Sequence, residues 1–258
     1  MTTEPYLAGK HAVVTGGGRG IGAAVAAELG RLGATLSLLG RNGEQLQGYA
    51  DSFPGGAAAV QCDVADEQSV HQAFAAARER FGDPYVLVNN AGQAESISFT
   101  EMPRELWDRM LAVNLTGTML CTQQVLPAML DAAGGRVINI ASTAGLRGYT
   151  KTAAYCAAKH AVIGLTRALA LETARAGITV NAVCPGYTDT DMARAAVDGL
   201  VAKLGITPDE ALAMLTRINP QRRLVQPEEV ARTVAWLCAP ESAAVTGQAI
   251  AVAGGEVM

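Results

Sequence analysis

The 258-residue chain is half apolar and carries 20 Lys and Arg against 24 Asp and Glu, a formal net charge of −4. With no run of Lys or Arg, that balance argues against a nucleic-acid partner. No uncharged apolar stretch approaches the ~18 residues that span a bilayer, so no membrane role is expected.

The first residues, MTTEPYLAGKH, show no basic segment followed by an apolar one, which points to a cytoplasmic protein. Cys62, Cys121, Cys156, Cys184 and Cys238 are odd in number, widely spaced and set in apolar sequence. They read as buried thiols in a reducing compartment.

In chain order, the first strand reads HAVVT (11–15) and runs through a glycine-rich turn into a helix over 20–32. ATLSLL (34–39) and AAAVQC (57–62) supply the second and third strands, and EQSVHQAFAAARERF (67–81) a helix. PYVLVNN (84–90) is the fourth strand, RVINIAS (136–142) the fifth and ITVNAVC (178–184) the sixth. Helices over 103–130 and 153–175 flank the fifth strand. After the sixth comes a long excursion, 186–226, with two short helices near 189–203 and 208–218. A helix over 227–239 and a last strand, AIAVAG (249–254), complete the pattern. Short strands without polar alternation, separated by helices, indicate a parallel sheet covered on both faces. The expected fold is one α/β domain over 1–258: a doubly wound, Rossmann-type sheet of about seven strands. Ligands belong at the strands' carboxyl ends, and 186–226 reads as a helical substrate lid.

The turn TGGGRGIG joins strand to helix where glycines let the backbone approach a pyrophosphate on a helix N-terminus. Thr15, Gly16, Gly18, Arg19, Gly20, Ile21 and Gly22 are therefore expected at a dinucleotide. After the second strand, where NAD-selective folds place an acid, the sequence reads LLGRN. Arg41 there, with Arg19, suits a 2′-phosphate, so NADP(H) is preferred and NAD(H) is the alternative. The competing reading leaves both arginines simply solvated.

Tyr155 and Lys159, four residues apart, share a helix face. A free phenol titrates near ~10, and a nearby ammonium would lower that value. The pair reads as a proton-transfer device beside a nicotinamide.

These residues carry a resemblance that covers essentially the whole chain. The turn at 15–22, NNAG at 89–92, the serine of NIAS (139–142), Tyr155 with Lys159, and VNAVCPG (180–186) resemble the short-chain dehydrogenase/reductase family. The resemblance implies that Tyr155 is the general acid in reduction and the base in oxidation. It implies that Ser142 orients the substrate oxygen, and that Lys159 lowers the tyrosine pKa and holds the ribose. Asn114 would support a water-linked relay to the lysine. Asp63, with Val64, would meet the adenine; Asn90, Ala91 and Gly92 the adenosine ribose; and Pro185, Gly186, Thr188 and Thr190 the nicotinamide end. Taken singly, Asn114 and Ser142 could equally serve local capping.

Substrate walls are expected from residues 93–96, from 143–149 and from the lid, with Gln93, Ser142, Ala144, Tyr149, Tyr155 and Tyr187 named as contacts. The lid carries Tyr187, Met192, Leu200, Leu204, Ile206, Leu212, Met214 and Leu215, most of them expected to fasten it to the body. That content suits an apolar ketone, an acyl chain or an aromatic ring. The segments ITVNAVCPGYTDTDMA, RRLVQPEEVA and AAVTGQAIAVAGG are similar to 3-oxoacyl reductases, including polyketide ketoreductases. They are also similar to 3-hydroxyacyl-CoA and 3-hydroxybutyrate dehydrogenases. A CoA- or carrier-linked acyl thioester could place its phosphate on Arg147, Arg194, Lys203, Arg217, Arg222 or Arg223, although such arginines often pair with nothing. The alternatives are an NAD-dependent catabolic hydroxyacyl-CoA or secondary-alcohol dehydrogenase and, more distantly, a scaffold without turnover. His11, His71 and His160 lack ligand spacing, so no metal is expected, and His160 reads as a packed helix residue. Apolar residues on extra helix faces (Leu111, Leu115, Met119, Leu165, Leu169), with the family's habit, imply a homotetramer.

Overall fold

The computed structural model describes residues 5–53 and 56–258. Seven parallel strands form its sheet: β1 (His11–Thr15), β2 (Thr35–Gly40), β3 (Ala57–Gln61), β4 (Val86–Asn89), β5 (Gly135–Ile140), β6 (Ile178–Pro185) and β7 (Ala249–Val252). Their order is β3-β2-β1-β4-β5-β6-β7. The direction of winding reverses between β1 and β4, which pair Ala12 with Val86 and Val14 with Val88. A doubly wound sheet opens a crevice at that reversal, outside the carboxyl ends of the strands.

Side chains alternate along each strand and feed two separate cores. Ala12, Val14, Leu36, Leu38, Val86, Val88 and Ile138 face one side, with α1 (Gly20–Arg31), α2 (Gly43–Ala50) and α9 (Pro227–Cys238). Val13, Leu39, Leu87, Val137 and Val180 face the other, with α3 (Glu67–Phe81), α5 (Gly117–Asp131) and α6 (Ala153–Thr173). Both faces are dry, which is why the strands read as unbroken apolar runs rather than alternating ones.

A continuous helix over 103–130 is not what forms. It divides into α4 (Arg104–Leu111), a π-helical turn over Ala112–Thr116, and α5. Asn114 marks the break: its Nδ2 donates to the Met110 carbonyl at 2.9 Å and to the Gln93 carbonyl at 3.0 Å. Its Oδ1 accepts from Gln93 N at 3.2 Å. One side chain thus joins the helix to the loop after β4, and the widened turn accommodates it.

The excursion forms α7 (Asp191–Leu204) and α8 (Pro208–Thr216). Its large apolar residues do not fasten it to the body as expected. Tyr187, Met192, Leu204, Leu212 and Met214 are exposed, and Leu200, Ile206 and Leu215 are half-buried. On the two helices only Ala193, Ala211 and Thr216 are buried. Small residues make the close approach, and the long side chains remain available to a ligand or a partner. Leu111, Leu115, Met119, Leu165 and Leu169 are half-buried, whereas Leu171 on α6 is 84% exposed.

Two smaller expectations also change. Cys156 is half-buried, unlike the other four cysteines; its Sγ lies 3.4 Å from Thr152 Oγ1. His160 is exposed rather than packed, with Nδ1 2.9 Å from the Cys156 carbonyl of its own helix. Among the described residues no helix is long and apolar enough to cross a membrane.

Candidate active site

The turn after β1 is held from the neighbouring strand. Thr15 Oγ1 accepts from the backbone N–H groups of Asn90 and Ala91, both at 3.0 Å. Asn90 Nδ2 donates to the carbonyls of Thr15 at 2.9 Å and Gly16 at 3.1 Å. Gly16 has a φ of +63°, a conformation that favours glycine. Gly22 permits close approach, because a Cβ there would collide with the Gly16 carbonyl oxygen. Gly18, Gly20 and Ile21 line the turn's outer side, half-buried, at the N-terminus of α1, whose N-cap is Arg19 and whose first turn holds no acid. Free N–H groups and a bare backbone suit a pyrophosphate.

Arg19 and Arg41 are both exposed at this edge, and the residues directly after β2, Arg41 and Asn42, are not acidic. Arg19 leans toward α7, 3.5 Å from Asp191. Asp63 is fixed by its Oδ1, which accepts from Ala65 N at 3.0 Å, and Val64 is buried against Gly117. Gly186 follows β6, with its N–H bonded to the Val252 carbonyl at 3.1 Å; Pro185 is the last residue of that strand. Thr188 is buried; its Oγ1 donates to the Gly186 carbonyl at 3.0 Å, and Thr190 donates to the Thr188 carbonyl at 3.2 Å. The turn and this loop meet, since a Cβ at Gly20 would lie 3.0 Å from the Thr190 methyl.

Ser142, Tyr155 and Lys159 converge over the ends of β5 and β6. Ser142 caps a short 3-10 turn (Thr143–Gly145), its Oγ accepting from Ala144 N at 3.1 Å. Ala144 therefore enters through its backbone. Lys159 is buried, donates to the Ile140 carbonyl at 2.8 Å and lies 5.6 Å from the centre of the Tyr155 ring. Gly92 links the two halves of the site. A Cβ on it would stand 2.9 Å from Asn114 Oδ1 and 3.7 Å from Lys159 Nζ.

The electrostatics differ from expectation. Burial pushes the Tyr155 phenol up to about 12, with a hydrogen bond from Ser142 the main opposing influence. Burial also brings Lys159 down to about 8. The lysine does not lower the tyrosine here: its ammonium is turned to the Ile140 carbonyl, and desolvation penalises the charged form of both groups.

The expected substrate contacts separate. Tyr149 is half-buried and bonded to Glu256 and Tyr187 is exposed, whereas the Gln93 side chain points to the Arg109 carbonyl at 3.4 Å. Two of the basic residues assigned to a phosphate are already engaged: Arg194 by Asp189 at 3.4 Å and Asp191 at 3.1 Å, and Arg223 by Glu229 at 2.6 Å.

With this geometry in place, the likeness to known proteins is specific. A family model described as short chain dehydrogenase matches residues 10–201. This chain belongs to the short-chain dehydrogenase family. A protein of Streptomyces violaceoruber assigned as ketoacyl reductase 1 of the granaticin polyketide synthase is 42% identical, covering 98% of this chain and 96% of its own. A 3-oxoacyl-[acyl-carrier-protein] reductase of Synechocystis is 39% identical, covering 98% of each chain. Among solved structures, a variant actinorhodin polyketide ketoreductase with NADPH superposes at a TM-score of 0.92 with 42% identity, covering 96% of this chain and 97% of its own. The chain is thus a short-chain dehydrogenase and an oxidoreductase, with a turn that fits a nicotinamide dinucleotide.

Two arrangements in this short-chain dehydrogenase escaped the sequence reading. A buried relay of amides and hydroxyls runs beneath the site: Asn89 Nδ2 donates to Thr122 Oγ1 at 3.0 Å and to Asn139 Oδ1 at 2.9 Å. Asn139 Nδ2 donates to Thr166 Oγ1 at 2.9 Å, which ties β4 and β5 to α5 and α6. Asparagines inside apolar strands were the available signal. The second is Glu256, buried near the end of the chain and bonded to the Tyr149 hydroxyl. Only the glycine pair before it hinted at a chain reversal.

Proposed function

We propose that this chain reduces a ketone to a secondary alcohol with NADPH, the ketone being a 3-oxoacyl thioester or a related apolar carbonyl compound. The observation that carries the reading is the meeting of Ser142, Tyr155 and Lys159 across Gly92 from the glycine turn. We take the chain as one domain with 186–226 as its lid.

The dinucleotide, when bound, would supply hydride to the carbonyl carbon. Tyr155 gives its proton from Oη to the developing alkoxide oxygen, and Ser142 Oγ donates a hydrogen bond to that same oxygen. A phenol held near 12 is fully protonated at neutral pH, the form that reduction needs. The reverse reaction needs the phenolate and gains as pH rises. Lys159 would hold the ribose, and Asn114 keeps the Gln93 backbone beside it.

The exposed Arg19 and Arg41, with no acid directly after β2, favour a 2′-phosphate and hence NADP(H) over NAD(H). The actinorhodin relative, whose structure contains NADPH, lends support to this preference. The carrier-protein and polyketide relatives lend support to a tethered acyl substrate, and the exposed lid side chains suit an apolar one. A homotetramer assembled through α5 and α6 would cover Leu171 and Leu130, and a cytoplasmic location completes the proposal.

NADPH oxidation with acetoacetyl-CoA and with simple aryl ketones tests the reading. We expect turnover of at least one class and a preference for NADPH over NADH that Arg41→Asp lowers by about tenfold or more. Failure on both classes rejects the proposed substrate range, and an unchanged preference rejects the role of Arg41.

A further inference from the structure

The chain after β7 does not trail away from the site. Gly254 and Gly255, at φ +60° and +90°, turn it back against Asn219 and Pro220 of the lid segment. That reversal buries Glu256 at the carboxyl end of the sheet. Its Oε1 accepts from the Tyr149 hydroxyl. Its Oε2 would stand 2.9 Å from a Cβ placed on Gly186. The hydroxyl of Tyr187, the next residue, is pushed above the ordinary phenol range by partial loss of water and then by the nearby Glu256, although its ring stays exposed at one edge; Tyr187 in turn is close enough to influence Tyr155. Among the described residues no Lys or Arg forms an ion pair with Glu256. Arg147 lies over Tyr149 on its exposed side, 5.0 Å from the ring centre and open to water.

We propose that Glu256, clamped by Tyr149 beside Gly186 and Tyr187, is a charge filter on the substrate: it admits neutral 3-oxo esters and thioesters and repels 3-oxo acids with a free carboxylate. A carboxylate two bonds from the reacting ketone would sit near Glu256 with little water between them, where like charges repel strongly. A thioester puts an uncharged sulfur at that place. The phosphate of a carrier arm lies beyond the ~10 Å over which salt screens charge. Glu256 acts here by specificity, through repulsion rather than by touching the reacting atoms. The inference rests on the proposed ketone reduction and narrows its substrate.

Ethyl acetoacetate and acetoacetate present the same ketone with and without the negative charge. The wild-type chain should show a kcat/KM for the ester at least about tenfold above that for the acid. Glu256→Gln should raise kcat/KM for the acid by about tenfold and so narrow the ratio, while Glu256→Asp, which keeps the charge, should keep the discrimination. A purely structural role cannot produce a gain on one substrate. If the Gln variant does not purify folded, Glu256→Met removes the charge at similar volume. Equal use of acid and ester by the wild type overturns the inference, as does a parallel fall on both substrates in the uncharged variants. Turnover of neither compound alongside intact turnover of aryl ketones overturns the filter alone; turnover of no ketone at all rejects the proposed function, and the filter with it.

Discussion

Tyr155 and Lys159 are four residues apart on α6, yet burial moves them in opposite directions, the phenol up to about 12 and the ammonium down to about 8. Both shifts have one cause, the loss of water from a charged form. The Lys159 value makes a prediction about stability. In the folded chain Lys159 releases its proton near pH 8, whereas in the unfolded chain it holds it to about 10.5. Between those values the unfolded state binds more protons, so raising the pH stabilises the fold, and below pH 8 the full cost of the buried charge is present. Cofactor-free wild type should therefore gain on the order of 3 kcal/mol relative to Lys159→Met from pH 8 to 10.5. Urea unfolding of both across that range measures it, and a constant difference would contradict the shift.

At the scale of elements, the glycine turn and the excursion over 186–226 follow opposite rules. The turn is over-determined: Thr15 and Asn90 bond its backbone, and Gly22 leaves no room for a methyl group beside the Gly16 carbonyl. Gly22→Ala must open that contact, costing about 1–3 kcal/mol of stability, and it should weaken NADPH binding at least about tenfold. Isothermal titration, with urea unfolding alongside, tests both; unchanged affinity would place the dinucleotide elsewhere. On the excursion over 186–226, only Ala193, Ala211 and Thr216 of α7 and α8 are buried. Helical spacing identified both of these helices within a few residues, but apolarity alone could not say which side chains face the body. Helix α9 shows the firmer case. The Gln226 N–H donates to the Glu229 carboxylate at 2.8 Å, and Arg223 holds that carboxyl down to about 2.

For the whole molecule, seven apolar runs separated by helices were enough to predict the parallel sheet, because burial on both faces favours strands without polar alternation. The candidate site was read from motifs at strand ends and on α6, and the fold sets Thr15 against Asn90, Gly92 against Lys159, and Tyr155 beside both Lys159 and Ser142. Three features were not legible. The π-helical turn at Asn114 depends on a bond to Gln93, which is close only after folding. The pKa directions depend on burial that spacing does not encode. The Tyr149–Glu256 bond joins residues 107 positions apart. Long-range closure of this kind is what turns a list of motifs into a site with a particular charge and shape.

The central claim is that Tyr155 is the proton donor in ketone reduction, and Tyr155→Phe tests it by removing one oxygen atom. With NADPH and any ketone the wild type accepts, kcat should fall by a factor of about 10² to 10⁴, while NADPH still binds within about threefold of the wild-type affinity. A variant that retains turnover within tenfold of wild type would contradict the account.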